Sequence, residues 1–287
     1  MMFFLQDPKE SNTMEVEILE LKSELDRNLA EKDHPFKHRY QVVDSNFFKG
    51  GFDNTPNPYN PNSKISFKEW MRDCAIPVGS LEFVGEYLKQ FHGISHMNPI
   101  EVPECLRLPH ILLRNYKIVS YDNIPRDGNY FVKDVSEIKG FTYQGNMNAL
   151  FSEDFGQDEF DKTHLYQVSE LLDIVSEYRV IVMGSQIYGI QFYDGDPTVM
   201  PTPKEINKIK EMVVRYSVAK GHALAYTMDV AVVKSCDKEG RDLALLEMHP
   251  YCAVGNYGCS GAFLPMMYKA GLRWYIDYNT PMKETKE

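Results

Sequence analysis

The stretch "ALLEMHPYCAVGNYG", residues 244–258, decides how the rest of the chain is read. It begins as an apolar strand, carries Glu247 and His249 at its end, and breaks after Pro250 into small residues and tyrosines. A second apolar run, "AYTMDVAVV" (225–233), precedes it across the polar segment 234–242, so the two predict a hairpin. Pairing symmetric about residue 238 sets Asp229 opposite Glu247, and the alternation of side chains along a strand puts His249 on the same face. Opposed carboxylates repel and call for a cation between them. Mg2+ suits the pair, because it takes a few carboxylate oxygens and leaves its other positions to water and substrate phosphates. Imidazole fits transition ions better. The plainer alternative is a solvent-facing sheet face on which both carboxylates are simply hydrated.

Upstream of the hairpin the pattern alternates between strands and capped helices. "SEYRVIVM" and "QIYGIQFY" flank Gly184-Ser185, a glycine-first pair suited to a type II′ turn. "TPKEINKIKEMVVRYSVAKG" predicts a helix with a Thr202/Glu205 capping box, Pro203 at its first position, an inner face of Ile206, Ile209, Val213 and Tyr216, and Gly221 as its stop. "NYFVK" is a strand, "DVSEIKGFTYQGN" a polar loop, and "HLYQVSELLDI" an apolar segment ending in charge. "SLEFVGEYLKQFHG" predicts a helix capped by Ser80, buried through Phe83, Val84, Tyr87, Leu88 and Phe91, and stopped by Gly93. "HILLRNYKIVSY" reads equally as helix or strand, and "YQVVDSNFF" as a strand followed by a Pro/Asn/Gly-rich loop. From Glu15 to Leu29 an amphipathic helix is expected, with Val16, Leu19, Leu25 and Leu29 in its stripe and Ile18 and Leu21 beside them. It serves as a cover for the core or as a contact with another subunit.

The 287 residues exceed the usual size of one domain, so two compact units are expected. The composition change near Pro125 places a boundary there, dividing the chain into an N-terminal helical segment (1–33), an N-terminal α/β region (34–125) and a main domain (126–287). With 31 basic and 41 acidic residues the net charge is −10, and no basic patch is present, which argues against a nucleic-acid partner. The five cysteines are scattered and form no C-x-x-C pair, as expected of reduced thiols in a cytoplasmic protein. "MMFFLQDPKE" is too short and insufficiently basic for a signal peptide, and no apolar run reaches the roughly 18 residues of a membrane span.

Two lysines, Lys133 and Lys139, bracket the start of a segment containing Gly140 and Gly145. Ammonium groups beside a backbone that can approach closely are what triphosphate oxygens require, although lone lysines are most often solvated and no P-loop motif is present. Arg179 shares a strand face with Glu177, which allows a local ion pair or a guanidinium that grips a phosphate or carboxylate with both nitrogens.

Taken in order, "IPVGSLEFV", "YFVKDVSEIKGF", "VSELLDIVSEYRVIVMGSQIYGIQFYDG", "AYTMDVAVV" and "LLEMHPYCAVGNYG" resemble the ATP-grasp superfamily. They are most similar to its small phage and bacterial clade marked by one arginine and two lysines. The resemblance covers roughly residues 75 to 275. It implies an α+β fold in which two subdomains clamp ATP, preceded by a pre-grasp region, and an enzyme that joins a carboxylate to an amine through an acyl phosphate, releasing ADP. By match, Lys133 and Lys139 would contact phosphates, Glu170 and Leu172 the adenine, and Glu177 the ribose. Arg179 would stabilise the transferring phosphoryl group, with Lys139 beside it. Asp229 and Glu247 would hold Mg2+, with His249 standing where the family usually has asparagine, a departure that implies a changed second metal site, Mn2+ tolerance or lost turnover. "GNYG" resembles the loop beside the acyl acceptor. The acceptor is an amino acid, a peptide or a protein, and the resemblance leaves the oligomeric state open. The alternatives are a nucleotide-binding or interaction protein on a degenerate scaffold, and a kinase that stops at phosphoryl transfer.

Overall fold

The structure is a computed structural model that describes residues 2–11, 14–30, 38–52, 55–59, 62, 64–152, 160–234, 240–251, 254, 255, 258, 259 and 261–280. Its contacts divide the chain into two compact units, one of residues 1–97, 223–227 and 250–287, the other of residues 98–222 and 228–249. These bounds do not fall at the 33/34 and 125/126 divisions expected from composition. The N-terminal helix packs within the first unit, and residues 98–125 belong to the second.

The first unit is built on β1 (Met2–Gln6), the middle strand of a parallel sheet of order β2-β1-β3. "MFFL" (2–5) is an unbroken apolar run because a middle strand of a covered parallel sheet is buried on both faces. Phe3, Phe4 and Leu5 are fully buried. Helix α1 (Glu15–Ala30) follows, but its packed face differs from the expected one. Ile18, Leu21 and Leu25 face inward with Glu24 and Asn28, whereas Val16 and Leu19 are exposed on the opposite side and Leu29 is exposed in the last turn. Strand β2 (Arg39–Val43) pairs with β1, and α2 (Phe67–Cys74) starts from a Ser66/Glu69 capping box. After β3 (Ala75–Val78), α3 (Leu81–His92) is capped by Ser80, whose side chain accepts from the Phe83 N–H. It ends at Gly93 in the left-handed conformation that a helix C-terminus favours.

In the second unit a single-turn helix α4 (Pro109–Leu112) leads into β4 (Tyr116–Ser120), so "HILLRNYKIVSY" is helix first and strand second. Strands β5 (Asn129–Asp134), β6 (Thr142–Asn146) and β7 (Leu165–Glu170) complete an antiparallel sheet of order β4-β7-β5-β6. Strand β6 lies inside the stretch expected to be a loop. It is an edge strand of alternately exposed, largely polar residues, which leaves no hydrophobic signal. A single turn α5 (Met147–Leu150) adds Met147 and Leu150 to the core formed by Tyr121, Ile124, Val132, Phe160, Tyr166 and Val168.

A second sheet has the order β11-β10-β8-β9. Strands β8 (Ile174–Met183) and β9 (Gln186–Gly195) pair antiparallel with Met183 opposite Gln186, leaving the two-residue turn Gly184-Ser185 with Gly184 at φ 61°, as the type II′ turn requires. Two register shifts interrupt the pairing, and each leaves one tyrosine of β9, Tyr188 or Tyr193, with no residue opposite. Helix α6 (Pro203–Ser217) carries the expected Thr202/Glu205 box, with Arg241 bonding the Glu205 carboxylate as well. Ile209, Met212, Val213 and Tyr216 form its inner face; Ile206 is only half-buried, and the helix ends four residues before Gly221. Strands β10 (Ala225–Lys234) and β11 (Arg241–Pro250) are the expected hairpin partners. The chain closes with α7 (Leu264–Asn279), which belongs to the first unit. No helix among the described residues is long and apolar enough to cross a membrane.

Helix α7 lies so close to the chain at Tyr251 that a Cβ on Gly271 would stand 2.0 Å from the Tyr251 carbonyl oxygen. Among the described residues, a Cβ on Gly85 in α3 would meet the Met97 sulfur alone, at 3.7 Å, an ordinary contact. Gly271→Ala is therefore expected to destabilise by at least about 1–3 kcal/mol. Gly85→Ala should be neutral or stabilise by up to about 1 kcal/mol, as alanine does inside a helix. Chemical denaturation of the two variants against wild type checks both.

Candidate functional site

Strands β8, β10 and β11 bring their polar residues to one place. Asp229 on β10 and Arg179 on β8 are both buried, and the guanidinium donates to both carboxylate oxygens, Nε to Oδ1 at 2.8 Å and a terminal nitrogen to Oδ2 at 2.6 Å. Arg179 thus pairs with Asp229 across the sheet, gripping a carboxylate with two nitrogens, rather than with Glu177 on its own strand. The guanidinium also lies over the ring of Tyr193, 5.0 Å from its centre. Tyr193 is one of the two bulged residues of β9, an instance of a bulge turning a side chain toward a site.

Glu247 and His249 on β11 stand beside Asp229. One ligand atom from each of the three lies within 4.8 Å of the others. His249 Nε2 stands 2.9 Å from Glu247 Oε1 and 3.5 Å from Asp229 Oδ2, yet among the described residues it is buried without an in-line hydrogen-bond partner. Neighbouring donors around an ion with bonds of about 2.1 Å lie about 3.0–3.4 Å apart, so the spacing and the orphaned nitrogen both fit a divalent metal. Lys133 on β5 donates to Glu247 from the other sheet. Burial acts to raise the Glu247 carboxyl, but His249 and Lys133 hold it well below the usual carboxylate range. Burial likewise disfavours the His249 imidazolium, and the two carboxylates outweigh it and raise the ring to about 9.

Beside this charged end is a cavity of about 300 Å3. Phe131, Leu171, Leu172, Ile174 and Leu246 give it apolar walls, and Lys133, Glu177, Asp229 and Glu247 line its charged end. An apolar slot opening onto paired charges suits a flat ring that carries a phosphate chain. Glu177 lines it as a carboxyl raised first by burial and then by Asp194, Asp229 and Glu247, the state of an acid with no cation of its own among the described residues. Ser169, also in the wall, is buried, and its hydroxyl has no partner among the described residues.

Two expected residues stand differently. The Glu170 carboxylate accepts from the backbone N–H and the side-chain amide of Asn115, at 3.0 and 2.8 Å, which leaves mainly its backbone to face a ligand. Lys139 is not among the residues lining the cavity. It sits at φ 60° in the turn between β5 and β6, a turn held by Asp134, which accepts from the Ser136 N–H and pairs with His164 at 2.7 Å. Of "GNYG", Asn256 and Tyr257 lie outside the described residues.

Arg114 is a site residue that sequence reasoning misses. It lines the cavity, and among the described residues its guanidinium donates only to backbone carbonyls, those of Leu245 and Leu246 at 3.1 and 3.2 Å and, more weakly, of Leu112. Burial lowers it to about 10. A cation placed so, with no acid bonded to it, is available to an anionic or aromatic ligand. Leu113 before it adopts φ 55°, which a leucine rarely does, and this strained residue aims Arg114 and Asn115 at their partners. Nothing in "LLRNYK" signals this, because the partners lie 55 to 132 residues away.

Residues 112–264, more than half of the chain and the whole span of these site residues, match a family model described as an ATP-grasp domain, family 2 of its clade. The chain belongs to the ATP-grasp family. Among solved structures, the ATP-grasp chain is similar to the D-alanine–D-alanine ligase of Bacillus anthracis complexed with ATP, at 14% identity and a TM-score of 0.50 over 97% of each chain. It is also similar to the L-amino acid ligase of Bacillus licheniformis, at 10% identity and a TM-score of 0.50 over 95% of this chain and 74% of that one. At such identities the likeness is one of fold, and it agrees with the expected α+β ATP-grasp architecture. No curated protein matches.

In the ATP-grasp chain the turn carrying Lys139 has a pH-sensitive anchor. The hydrogen bond to Asp134, with the charges of Asp134, Asp161 and Glu137, holds the His164 imidazole above its ordinary value of 6.5 against a smaller opposing effect of burial. The folded protein therefore binds this proton more tightly than the unfolded chain. The stabilisation is complete below the ordinary value and is lost as pH rises through the raised one. The loss of melting temperature caused by His164→Gln is expected to be larger near about pH 5.5 than near about pH 8.5. A melting series across that range checks it.

Proposed function

We propose that the protein is an ATP-dependent carboxylate–amine ligase that forms ADP through an acyl phosphate. The observation that carries this reading is the meeting of Lys133 from one sheet with Glu247, Asp229, His249 and Arg179 of the other, at the mouth of an apolar cavity of about 300 Å3. Membership of the ATP-grasp family supports it. In this reading the base lies among Leu172, Ile174 and Leu246, against the backbone at Glu170 and the hydroxyl of Ser169. The ribose hydroxyls donate to Glu177, and Arg114 faces the base or the first phosphate. Lys133 turns from Glu247 to the phosphates, and Lys139 reaches them from its turn. Asp229, Glu247 and His249 would hold the divalent ion, which supplies charge compensation along the phosphate chain.

Chemically, an oxygen of the substrate carboxylate attacks the γ-phosphorus and the bond to the bridging oxygen breaks, giving ADP and an acyl phosphate. The amine then attacks the acyl carbon, loses a proton and expels inorganic phosphate. Lys133 and Arg179 act by position and charge, which is how phosphoryl transfer is chiefly accelerated. An amino acid, peptide or protein terminus supplies the carboxylate or the amine.

Thermal unfolding of wild type and Glu247→Gln with ATP, Mg2+ and both tests the reading. Mg2+ and ATP together are expected to stabilise wild type, by about 2.7 kcal/mol at a hundredfold excess over Kd, and Glu247→Gln should lose most of the effect. ADP release should then require both a carboxylate and an amine. A stable phosphorylated product formed without an amine would mean a kinase instead, and no shift in the wild type would sink the reading altogether.

A further inference from the structure

We propose that His249 is a protein ligand of the metal site and makes its preferred ion Mn2+, or another borderline transition ion, rather than Mg2+. The inference rests on the reading of this hairpin as the metal end of a nucleotide site, and concerns which ion that end selects. Three observations carry it. The donor set is two carboxylates and one imidazole, Asp229, Glu247 and His249, with ligand atoms within 4.8 Å of one another. His249 Nε2 lies 2.9 and 3.5 Å from the carboxylate oxygens, separations that suit neighbouring positions on one ion with bonds of about 2.1 Å. The nitrogen is buried and, among the described residues, has no in-line hydrogen-bond partner, so its ligating position is not already taken.

Ion chemistry then decides the preference. Mg2+ is a hard ion that binds oxygen at strict octahedral geometry and keeps its waters, and an imidazole in its shell replaces a good donor with a poor one. Mn2+ and the ions after it accept imidazole nitrogen together with carboxylate oxygen. The Arg179 bonds to Asp229 do not prevent ligation, because each carboxylate oxygen has a second lone pair. Arg179 and Lys133 hold the acids in place before the ion arrives, as supporting hydrogen bonds do in metal sites generally. An amide in place of His249 would present an oxygen and return the preference to Mg2+.

The test uses the full chain with Mn2+ alone and with Mn2+ plus ADP, following free Mn2+ by electron paramagnetic resonance and competing with Mg2+. Pulsed spectra of the bound ion on protein carrying 15N-labelled histidine report directly whether an imidazole nitrogen is coordinated. Wild type is expected to favour Mn2+ over Mg2+ by more than about tenfold and to show a coupled histidine nitrogen. His249→Asn should lower the Mn2+/Mg2+ ratio by about tenfold or more and lose the coupling, and Glu247→Gln should lose both ions. If His249→Asn does not fold, the nitrogen coupling in wild type decides alone. Bound Mn2+ with no coupled nitrogen, or a ratio unchanged in His249→Asn, overturns the role of His249 while leaving the nucleotide reading standing. Failure of wild type to bind Mn2+ under either condition overturns it too, and the separate melting response to Mg2+ and ATP shows whether the nucleotide reading falls with it.

Discussion

Between β8 and β10 the Arg179 guanidinium and the Asp229 carboxylate share two hydrogen bonds out of reach of solvent. Two charges buried together are tolerated only when both are fully bonded, and removing one partner typically costs about 3–5 kcal/mol. The pair therefore fixes the side-chain geometry around it. Asp229 presents an oxygen 3.5 Å from His249 Nε2, His249 approaches Glu247, and Glu247 takes the ammonium of Lys133 from the neighbouring sheet. Each charge in this chain is compensated by the next, whereas Glu177 beside them has no cation of its own among the described residues and its carboxyl is raised by burial and by the neighbouring acids.

The chain of charges also explains why the cavity is apolar on one side and polar on the other. The cluster of Ala231, Val233 and Ala244 packs with Leu113, Leu172 and Leu246, giving the strands a dry backing from which Leu172 and Leu246 reach the cavity wall. At the other end the paired charges exclude further apolar packing. A ligand with one flat apolar end and one highly charged end meets both environments at once.

Much of this is legible in the sequence because it depends on period. Alternation along two apolar strands places Asp229, Glu247 and His249 together, a glycine-first pair marks the β8–β9 turn, and caps at Ser80 and Thr202 mark two helices. What stays hidden depends on contacts far apart in the chain. Arg114 and Asn115 acquire meaning only from Leu245, Leu246 and Glu170, and no local pattern announces such partners. Strand β1 escapes for another reason: buried on both faces, it shows no alternation. The face of α1 is misread because apolar residues occur on both sides of it, and the buried Glu24 and Asn28 lie on the side that packs.

Strand β9 lies at the edge of its sheet, ten residues long and bearing the exposed aromatics Phe192 and Tyr193. An edge of that length and composition is an open template for a strand from another molecule. The two bulges at Tyr188 and Tyr193 break its register near both ends, so an incoming strand could match only the few residues between them. The irregularity that brings Tyr193 under Arg179 is thus also a guard against aggregation, and straightening β9 would expose the protein to edge-to-edge association even if its site remained intact.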